Sequence, residues 1–447
     1  MKEALKETRA SLLLAVPIVI GQVGQMLMGV TDSVMIGRTG TVPLAASSFG
    51  GGVFNVFFII GVGLLTPVAV FASRSRGAGR HDEAGEFLRH GLMLALAAGL
   101  AGFGLILYIG GHLEWYHQQP VVIAAVNPFL LLIGLSLIPG LAYLALKQFA
   151  DSMGRPWVPM MILLGGVLLN AFLDWVLIYG HLGMPSLGLT GAGMATLVSR
   201  MLAPAGILAW MRLDPSMRAA LPGRWLAPVS WERMRRMLSV GLPASGSLLF
   251  EGGAFAAATV MMGWLGAVPL AAHQVAISCA ALTFMLPLGL SMAVGIRMGA
   301  AAGAGHHSKL RPIWLGAVGL SVTQSAVVTA VFIFFGRAIA SCFIGDASVI
   351  STATSLLVVA GFFQIFDGAQ VINAAALRGL TDVRVPAAIT FVAYWVISLP
   401  VGYLLGIRGG FGPAGIWMGL AAGLAVAAVL LCARFIRLTR PGAPAVS

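Results

Sequence analysis

Four acidic residues lie inside long apolar stretches of this chain, where an ionised side chain is costly: Asp32, Asp174, Glu251 and Asp367. Insertion scales put one charge at the centre of a spanning helix at about 2.5–3.5 kcal/mol. We expect no lysine or arginine within the spans to neutralise them. Each carboxyl must then carry a proton, hold a metal ion or bind a cationic substrate. These options together describe an ion-coupled cation transporter.

Asp32 and Asp174 form the first candidate set, because both lie a similar distance from the outer ends of their spans. Asn170 precedes Asp174 by four residues, so the amide and the carboxyl share one helical face. Thr196 in the next span adds a hydroxyl. Oxygen ligands of this kind suit a hard cation such as Na⁺. Two other interpretations stay open: Asp32 reaches water at the membrane surface, and Asn170 with Asp174 joins two helices.

Glu251 and Asp367 form the second candidate set, near mid-membrane on different spans. Phe363, one turn before Asp367, and Phe284 offer ring faces to a cation. A sodium ion is possible at this pair or at Asp32 and Asp174. The alternative for Glu251 is a neutral carboxyl, hydrogen-bonded to a serine or to a backbone carbonyl.

His273 and Gln274 lie at the outer start of the eighth span. They either face the mouth of a cavity or make polar contacts between helices. The three cysteines, Cys279, Cys342 and Cys432, lack metal-site spacing and are typical of small packing residues. We expect no cofactor apart from the coupling ion, Na⁺ or H⁺.

The composition places the chain in a lipid bilayer. Its 447 residues are 59% hydrophobic and 9% charged, whereas soluble domains carry about 25% charged residues. The fold class is therefore an all-α integral membrane protein. The net charge of +12 does not indicate a nucleic-acid partner, because the basic residues lie in loops between apolar spans.

Twelve apolar segments are long enough to span a membrane. They are 11–36, 43–72, 88–111, 121–146, 157–180, 187–211, 236–262, 268–298, 312–335, 348–376, 385–407 and 413–436. All but three of the 27 Lys and Arg residues fall in segments that share a side with the N-terminus. The exceptions are Arg38, Arg337 and Arg408. This asymmetry predicts that both termini are cytoplasmic in a bacterial inner membrane.

The chain is an internal duplication. Val42–Ala46 recurs as Val268–Ala272, and at the same offset Pro17 matches Pro243. We predict an N-terminal lobe at 1–211, a cytoplasmic linker at 212–235 and a C-terminal lobe at 236–447. A short interfacial helix is expected around Trp225 and Trp231. Two six-helix lobes of equal direction imply a pseudo-two-fold axis along the membrane normal. The acidic residues are not duplicated, since the repeat mate of Glu251 is Gln25.

Several segments resemble the multidrug and toxic compound extrusion (MATE) family, in its NorM-like branch, over nearly the whole chain. They are Gly29–Gly37, Leu248–Phe255, Ala271–Ile277, Phe366–Gln370, Leu377–Asp382 and Tyr394–Gly406. The resemblance implies twelve helices in two lobes around a V-shaped cavity. It also implies export of cationic aromatic drugs in exchange for Na⁺ or H⁺, with the bilayer as the other partner. We expect a monomer.

The resemblance also assigns roles to single residues. Glu251 and Asp367 match carboxylates that couple ions in the C-terminal lobe. The N-terminal set, Asp32, Asn170, Asp174 and Thr196, matches a Na⁺ or proton site. Gln274 and Asp346 match positions that contact drug near the outer mouth. One departure concerns Phe363, where some relatives have a tyrosine whose hydroxyl is an ion ligand.

Two other function classes remain as alternatives. A lipid or lipid-linked oligosaccharide flippase of the same superfamily should carry cavity arginines for the pyrophosphate, and we expect none in the spans. An intramembrane enzyme such as a prenyltransferase needs clustered carboxylates that hold Mg²⁺ at a membrane face. The loops contain no Asp-x-x-x-Asp cluster, so we expect a transporter and not an enzyme.

Overall fold

The computed structural model describes residues 2–116 and 119–440. Within these ranges the regular structure is helical. The first six long helices are α1 (Lys2–Gly37), α2 (Thr41–Gly77), α3 (His81–Gly110), α4 (Pro120–Ser152), α5 (Trp157–Tyr179) and α6 (Gly188–Leu213). A short helix follows, α7 (Pro215–Ala220). The rest are α8 (Trp231–Leu265), α9 (Ala267–Gly303), α10 (Leu310–Phe343), α11 (Ala347–Gly379), α12 (Arg384–Phe391), α13 (Leu399–Tyr403) and α14 (Gly412–Leu438).

The twelve predicted spans are confirmed. Twelve helical segments of the described chain are long and apolar enough to cross a membrane. One of them, Arg384–Arg408, comprises α12, α13 and the residues that follow each of these helices. Many of the helices extend beyond the predicted limits, because charged residues at their ends continue the helix after the apolar run stops. Residues 441–447 of the predicted C-terminal lobe lie outside the described residues.

The interfacial helix was predicted in the wrong place. The short helix is Pro215–Ala220, whereas Trp225 follows it in a non-helical segment and Trp231 already begins α8. Helix α7 starts there because Asp214 accepts hydrogen bonds from the backbone N–H groups of Ser216 and Met217. Pro215 follows this cap at a position where its missing N–H costs nothing.

The start of α3 holds the linker in place. The Arg89 guanidinium donates to the backbone carbonyls of Ala227 and Pro228. His90 Nε2 accepts from the backbone N–H of Ser230 at 3.0 Å, and its Nδ1 lies 2.7 Å from the Glu86 carbonyl. The predicted linker is therefore an ordered segment with side-chain partners on α3.

The chain divides into two compact units. One comprises Met1–Val19 and Gly246–Ser447, and the other comprises Ile20–Ser245. This division differs from the predicted lobe boundaries at residues 1–19 and 236–245, since α1 and α8 each contribute to both units. The chain passes from one unit to the other just after a proline inside a helix, Pro17 in α1 and Pro243 in α8. Proline removes one backbone hydrogen bond and is a usual cause of helix bending.

The helix between α11 and α14 contains two π-helical segments, Val392–Ser398 and Leu404–Arg408. Glycine permits close packing against α14, because a Cβ atom added at Gly419 would lie 2.2 Å from the backbone nitrogen of Gly402. Single π-turns are rare and occur often at functional sites. The first π segment carries Tyr394, which interacts electrostatically with Glu251 and Asp367.

Candidate functional site

In the Ile20–Ser245 unit, the structure brings the predicted carboxyl pair together. The carboxyl groups of Asp32 on α1 and Asp174 on α5 interact electrostatically. Neither Asp174 oxygen has a hydrogen-bond partner among the described residues, although the side chain is 0% exposed, and Asp32 Oδ1 has none either. Two neighbouring carboxylates repel each other, so the pair favours a bound proton or metal cation.

The amide and hydroxyl of this predicted set lie on the expected helix faces. Asn170 is buried one turn before Asp174 on α5, and neither polar atom of its side chain has a partner in the described part of the chain. Thr196 is buried on α6, which packs against α5. Unpaired buried amides are costly, so Asn170 is available to a ligand held by the two carboxyls.

Arg200 lies inside a span, contrary to the expectation that the spans contain no basic residue. It lies near the middle of α6, one turn after Thr196, and interacts electrostatically with Asp32. Its Nη1 donates to Ser136 Oγ at 3.0 Å, and its Cζ lies 4.4 Å from the centroid of the Phe54 ring. The positive-inside count had placed Arg200 with the linker arginines. Its position in the predicted span 187–211 was the available signal.

The second carboxyl pair lies in the other compact unit, the one that contains Gly246–Ser447. Glu251 on α8 and Asp367 on α11 interact electrostatically, and Asp367 Oδ1 is buried with no partner among the described residues. Arg378, on the last turns of α11, interacts electrostatically with Glu251. Arg378 is one of several basic residues that lie within the spanning helices and not in loops. The charge of Glu251 is therefore partly balanced by the protein itself.

Tyr394 is the other group that sequence reasoning missed. Its side chain is 0% exposed, lies within electrostatic reach of Glu251 and Asp367, and its hydroxyl has no partner in the described residues. A phenol oxygen can serve as donor or acceptor. Phe363 provides no such oxygen, and Tyr394 supplies one from a different helix. Its place in a π-helical segment could not be read from sequence periodicity.

The two predicted aromatic contacts occupy different environments. The Phe363 ring is 1% exposed and packs edge-on against Phe255 and Trp417, at centroid distances of 6.0 and 5.3 Å. This is the packing of an aromatic core residue. Phe284 on α9 is half-buried and follows Thr283, whose hydroxyl accepts from Gln364 at 2.8 Å.

The side chains of His273 and Gln274 lie in different environments. His273 is 1% exposed; its Nδ1 accepts from Trp417 Nε1 at 3.2 Å, and its Nε2 lies 3.0 Å from Thr259 Oγ1. Indole N–H only donates, so this contact fixes a neutral imidazole protonated at Nε2. His273 therefore joins α8, α9 and α14, so it makes polar contacts between helices and does not face the mouth of a cavity. Gln274 is exposed.

Asp346 caps α11. Its Oδ1 accepts from the backbone N–H groups of Ser348 at 2.8 Å and Val349 at 3.1 Å. The Ser348 hydroxyl, followed by these N–H groups, lowers the pKa of the Asp346 carboxyl. The carboxylate is exposed and committed to the helix N-terminus.

The described residues thus define a polytopic membrane protein with a carboxyl pair in each compact unit, and in each pair one carboxyl is buried and the other half-buried. Carboxyl groups inside spanning helices are typical of secondary transporters, where they bind ions or cationic substrate. A cation in the middle of α6, Arg200, interacts electrostatically with Asp32 of one pair.

Comparison with known proteins agrees with this class. The family profile described as MatE matches residues 17–176 and 243–404, so the chain belongs to the MatE family. It is 35% identical to the probable multidrug resistance protein NorM of Mesorhizobium japonicum, covering 98% of this chain and 96% of that protein. It is 34% identical to the multidrug resistance protein PmpM of Pseudomonas aeruginosa, covering 97% and 92%. The resemblance stated from the sequence is confirmed.

Solved structures share the fold. A multidrug resistance MATE family transporter of the MOP superfamily, in an outward-facing conformation, superposes with a TM-score of 0.88 at 22% identity, covering 96% of both chains. The Vibrio cholerae MATE transporter VcmN in the bent form gives a TM-score of 0.88 at 19% identity and covers 98% of both chains. At these identities the likeness establishes the all-α fold of twelve spanning helices.

Proposed function

We propose that this protein is a Na⁺- or H⁺-coupled antiporter that exports amphipathic organic cations and drugs. The observation that carries the proposal is the Glu251–Asp367 pair, in which two carboxyls from different spans interact and one buried oxygen lacks a partner. Such a pair favours any cation that can neutralise it. The names of the NorM and PmpM relatives support drugs as the cargo.

Coupling follows from competition for the same carboxyls. In the outward-facing state the pair takes up H⁺ or Na⁺ and releases the drug. In the inward-facing state it loses the ion and accepts the next drug cation. Because each ligand shifts the same conformational equilibrium and only one occupies the pair at a time, the two flows are linked. The Tyr394 hydroxyl serves as an additional oxygen ligand at this pair.

The second carboxyl pair gives two versions of the proposal. If Asp32 and Asp174 couple, H⁺ or Na⁺ binds at their unpartnered oxygens. If Glu251 and Asp367 couple, either ion satisfies the site. We propose that Gln274 and Phe284, which are exposed and half-buried, contact drug, whereas Asp346 and Phe363 support the helices around them.

We propose further that the protein lies in the bacterial inner membrane, as a monomer, with both termini and residues 212–235 in the cytoplasm. The distribution of basic residues supports this orientation. A cysteine introduced at the linker position Arg224 should resist an impermeant thiol reagent in intact cells and react after permeabilisation. Labelling from outside in intact cells would refute the orientation.

Arginines do lie within the spans, so the flippase alternative depends on what these arginines contact. Arg200 is engaged by Ser136 and by the charge of Asp32, and Arg378 by that of Glu251. Both cations are balanced by carboxyls of the protein, which disfavours a pyrophosphate ligand for either.

The test is ethidium efflux from proteoliposomes under an imposed pH gradient or an imposed Na⁺ gradient. The proposal expects efflux under at least one gradient and none without a gradient. Absence of efflux under both, with the protein correctly inserted, would refute it. Translocation of a fluorescent lipid under the same conditions would instead support the flippase.

A further inference from the structure

Residues 212–236 join two spanning helices and expose large apolar side chains. Helix α6 ends at Leu213 and α8 begins at Trp231, and both helices are long and apolar enough to cross a membrane. The segment between them must therefore begin and end near a bilayer surface. Leu213 is 82% exposed, Leu226 is 100% exposed and Trp231 is 70% exposed. Such side chains are unfavourable in water, whereas the acyl layer below the lipid headgroups would cover them.

The exposure of Leu226 follows from the way in which the rest of the segment is held. Met217 and Ala220 are buried in a core cluster, and Leu221 and Trp225 pack against that cluster. The backbone just after Leu226 is fixed by hydrogen bonds from an arginine of α3. The segment therefore packs one set of apolar side chains against the protein, and Leu226 belongs to a second set that the protein leaves uncovered.

The same residues carry an excess of positive charge, most of it without an acidic partner. The range 212–236 contains six arginines and two acidic residues. Asp214 caps α7, and Glu232 Oε1 lies 2.7 Å from Arg236 Nη2. Arg233 Nη1 lies 3.5 Å from a carboxylate oxygen of α3. The other four arginine side chains are exposed and take part in no ion pair of the described residues: Arg212, Arg218, Arg224 and Arg235.

An anionic phospholipid would satisfy both the arginines and the apolar side chains. Guanidinium groups bind phosphate oxygens through paired hydrogen bonds, and basic segments beside a spanning helix are attracted to anionic lipids. Apolar side chains that alternate with basic ones insert at the boundary between headgroups and acyl chains. Free phosphate would pair with the arginines but would leave Leu226 and Trp231 in water. The lipid is therefore the partner that this segment fits.

We propose that residues 212–236 bind the headgroups of anionic phospholipids in the inner leaflet. The unpaired arginines bind the phosphates, while Leu226 and Trp231 enter the acyl layer. The inference rests on the proposed cytoplasmic position of residues 212–235, and it adds a selective lipid partner to that orientation.

Native mass spectrometry of the full-length protein in detergent tests the lipid preference. Phosphatidylglycerol, which is anionic, is compared with phosphatidylcholine of the same acyl chains, which has no net charge. One basic residue near an anionic lipid surface contributes about fivefold to affinity. The wild type should therefore bind phosphatidylglycerol at least about tenfold more tightly than phosphatidylcholine. The triple variant Arg212→Gln, Arg218→Gln and Arg224→Gln should lose this preference.

Three exposed arginines outside this segment provide a control with the same change in charge. They are Arg38, Arg337 and Arg408. The triple variant Arg38→Gln, Arg337→Gln and Arg408→Gln should keep the preference for phosphatidylglycerol. Circular dichroism and size-exclusion chromatography confirm that each variant is folded.

A nitroxide at residue 226 tests membrane insertion and leaves every arginine in place. It is attached to Leu226→Cys in a variant that also carries Cys342→Ser and Cys432→Ser, since Cys279 is buried. In phosphatidylglycerol nanodiscs, electron paramagnetic resonance should show more collisions with oxygen, which concentrates in the acyl layer, than with a water-soluble nickel chelate. A nitroxide at His306→Cys, an exposed position between α9 and α10, should show the reverse.

Each opposite result overturns the proposal. A wild type without lipid preference, or a folded linker triple variant that keeps it, would show that these arginines do not select the lipid. Loss of the preference in the control triple variant would show that total charge decides it. Displacement of phosphatidylglycerol by an equal concentration of inorganic phosphate would identify a free-anion site.

A nitroxide at residue 226 that collides mainly with the nickel chelate would leave this surface to a soluble partner and would refute insertion. Neither measurement needs transport or a known orientation. Their outcomes are therefore separate from those of the efflux and thiol-labelling experiments.

Discussion

Replacing Tyr394 by phenylalanine should move stability and function in opposite directions. The ring is fully buried and its hydroxyl has no partner among the described residues. A buried, unpaired polar group costs about 1–3 kcal/mol. Phenylalanine keeps the ring and removes this cost, so we expect the free energy of unfolding to stay constant or to rise by up to that amount.

The same substitution should weaken ion coupling. The hydroxyl lies within electrostatic reach of Glu251 and Asp367, and a hydrogen bond to a charged group contributes about 1.5–3 kcal/mol. Its loss corresponds to an approximately 10- to 150-fold higher concentration of the coupling ion for half-maximal efflux. Ethidium efflux is measured against the concentration of the driving ion, and thermal unfolding is followed in detergent on the same samples.

Tyr403→Phe is the matched control, because Tyr403 lies on the same span but is 37% exposed. It should match the wild type in both assays. Wild-type ion dependence in Tyr394→Phe would refute the assignment of this hydroxyl to the ion site. A marked loss of stability would show instead that the hydroxyl has a structural partner.

Two further substitutions test the structural roles assigned near the helix ends. His273→Ala leaves the buried Trp417 N–H without its acceptor, so the free energy of unfolding should fall by about 1–3 kcal/mol. The loss of stability should be smaller in His273→Gln. Lost efflux at wild-type stability would support a role in the cavity instead. Asp346→Ala should lower the unfolding temperature while Asp346→Asn preserves the cap. Hydrogen bonds lower the pKa of Asp346 in the folded protein. Its contribution to stability is therefore present above the ordinary aspartate pKa and is lost as pH falls through the lowered pKa. The unfolding temperatures of the wild type and Asp346→Ala should then become equal in acid. Altered drug affinity without a change in stability would contradict the capping role.

The span pattern and the N-terminal pairing were accessible from sequence because they depend on local rules. Apolar length predicts a spanning helix, and the spacing of Asn170 and Asp174 puts both on one face of α5. The depth of Asp32 then predicted its proximity to Asp174, with which it interacts electrostatically in the structure. These inferences needed only helix geometry and the thickness of a bilayer.

The remaining features depend on tertiary contacts that periodicity does not encode. Arg200 was assigned to a loop because basic residues usually mark loops, but the hydroxyl of Ser136 and the Phe54 ring provide it with a site inside the bundle. The direction of the Tyr394 side chain depends on a π-helical segment, which shifts the helical register. His273 was ambiguous until its two partners, on α8 and α14, were known.

The most direct test of the account is gradient-driven efflux by Glu251→Gln and Asp367→Asn. Each change removes a charge but keeps the shape of the side chain, and an amide is cheaper to bury than a carboxylate. Glu114→Gln is the control, because Glu114 is exposed outside the spans. Asp382 is unsuitable, since it accepts from Arg434 Nε at 2.8 Å.

We predict that both amide variants insert and fold normally but lose ethidium efflux under a pH gradient and under a Na⁺ gradient, while Glu114→Gln transports as the wild type does. Wild-type efflux by Glu251→Gln and by Asp367→Asn under either gradient would contradict the account, because coupling would not then depend on this carboxyl pair.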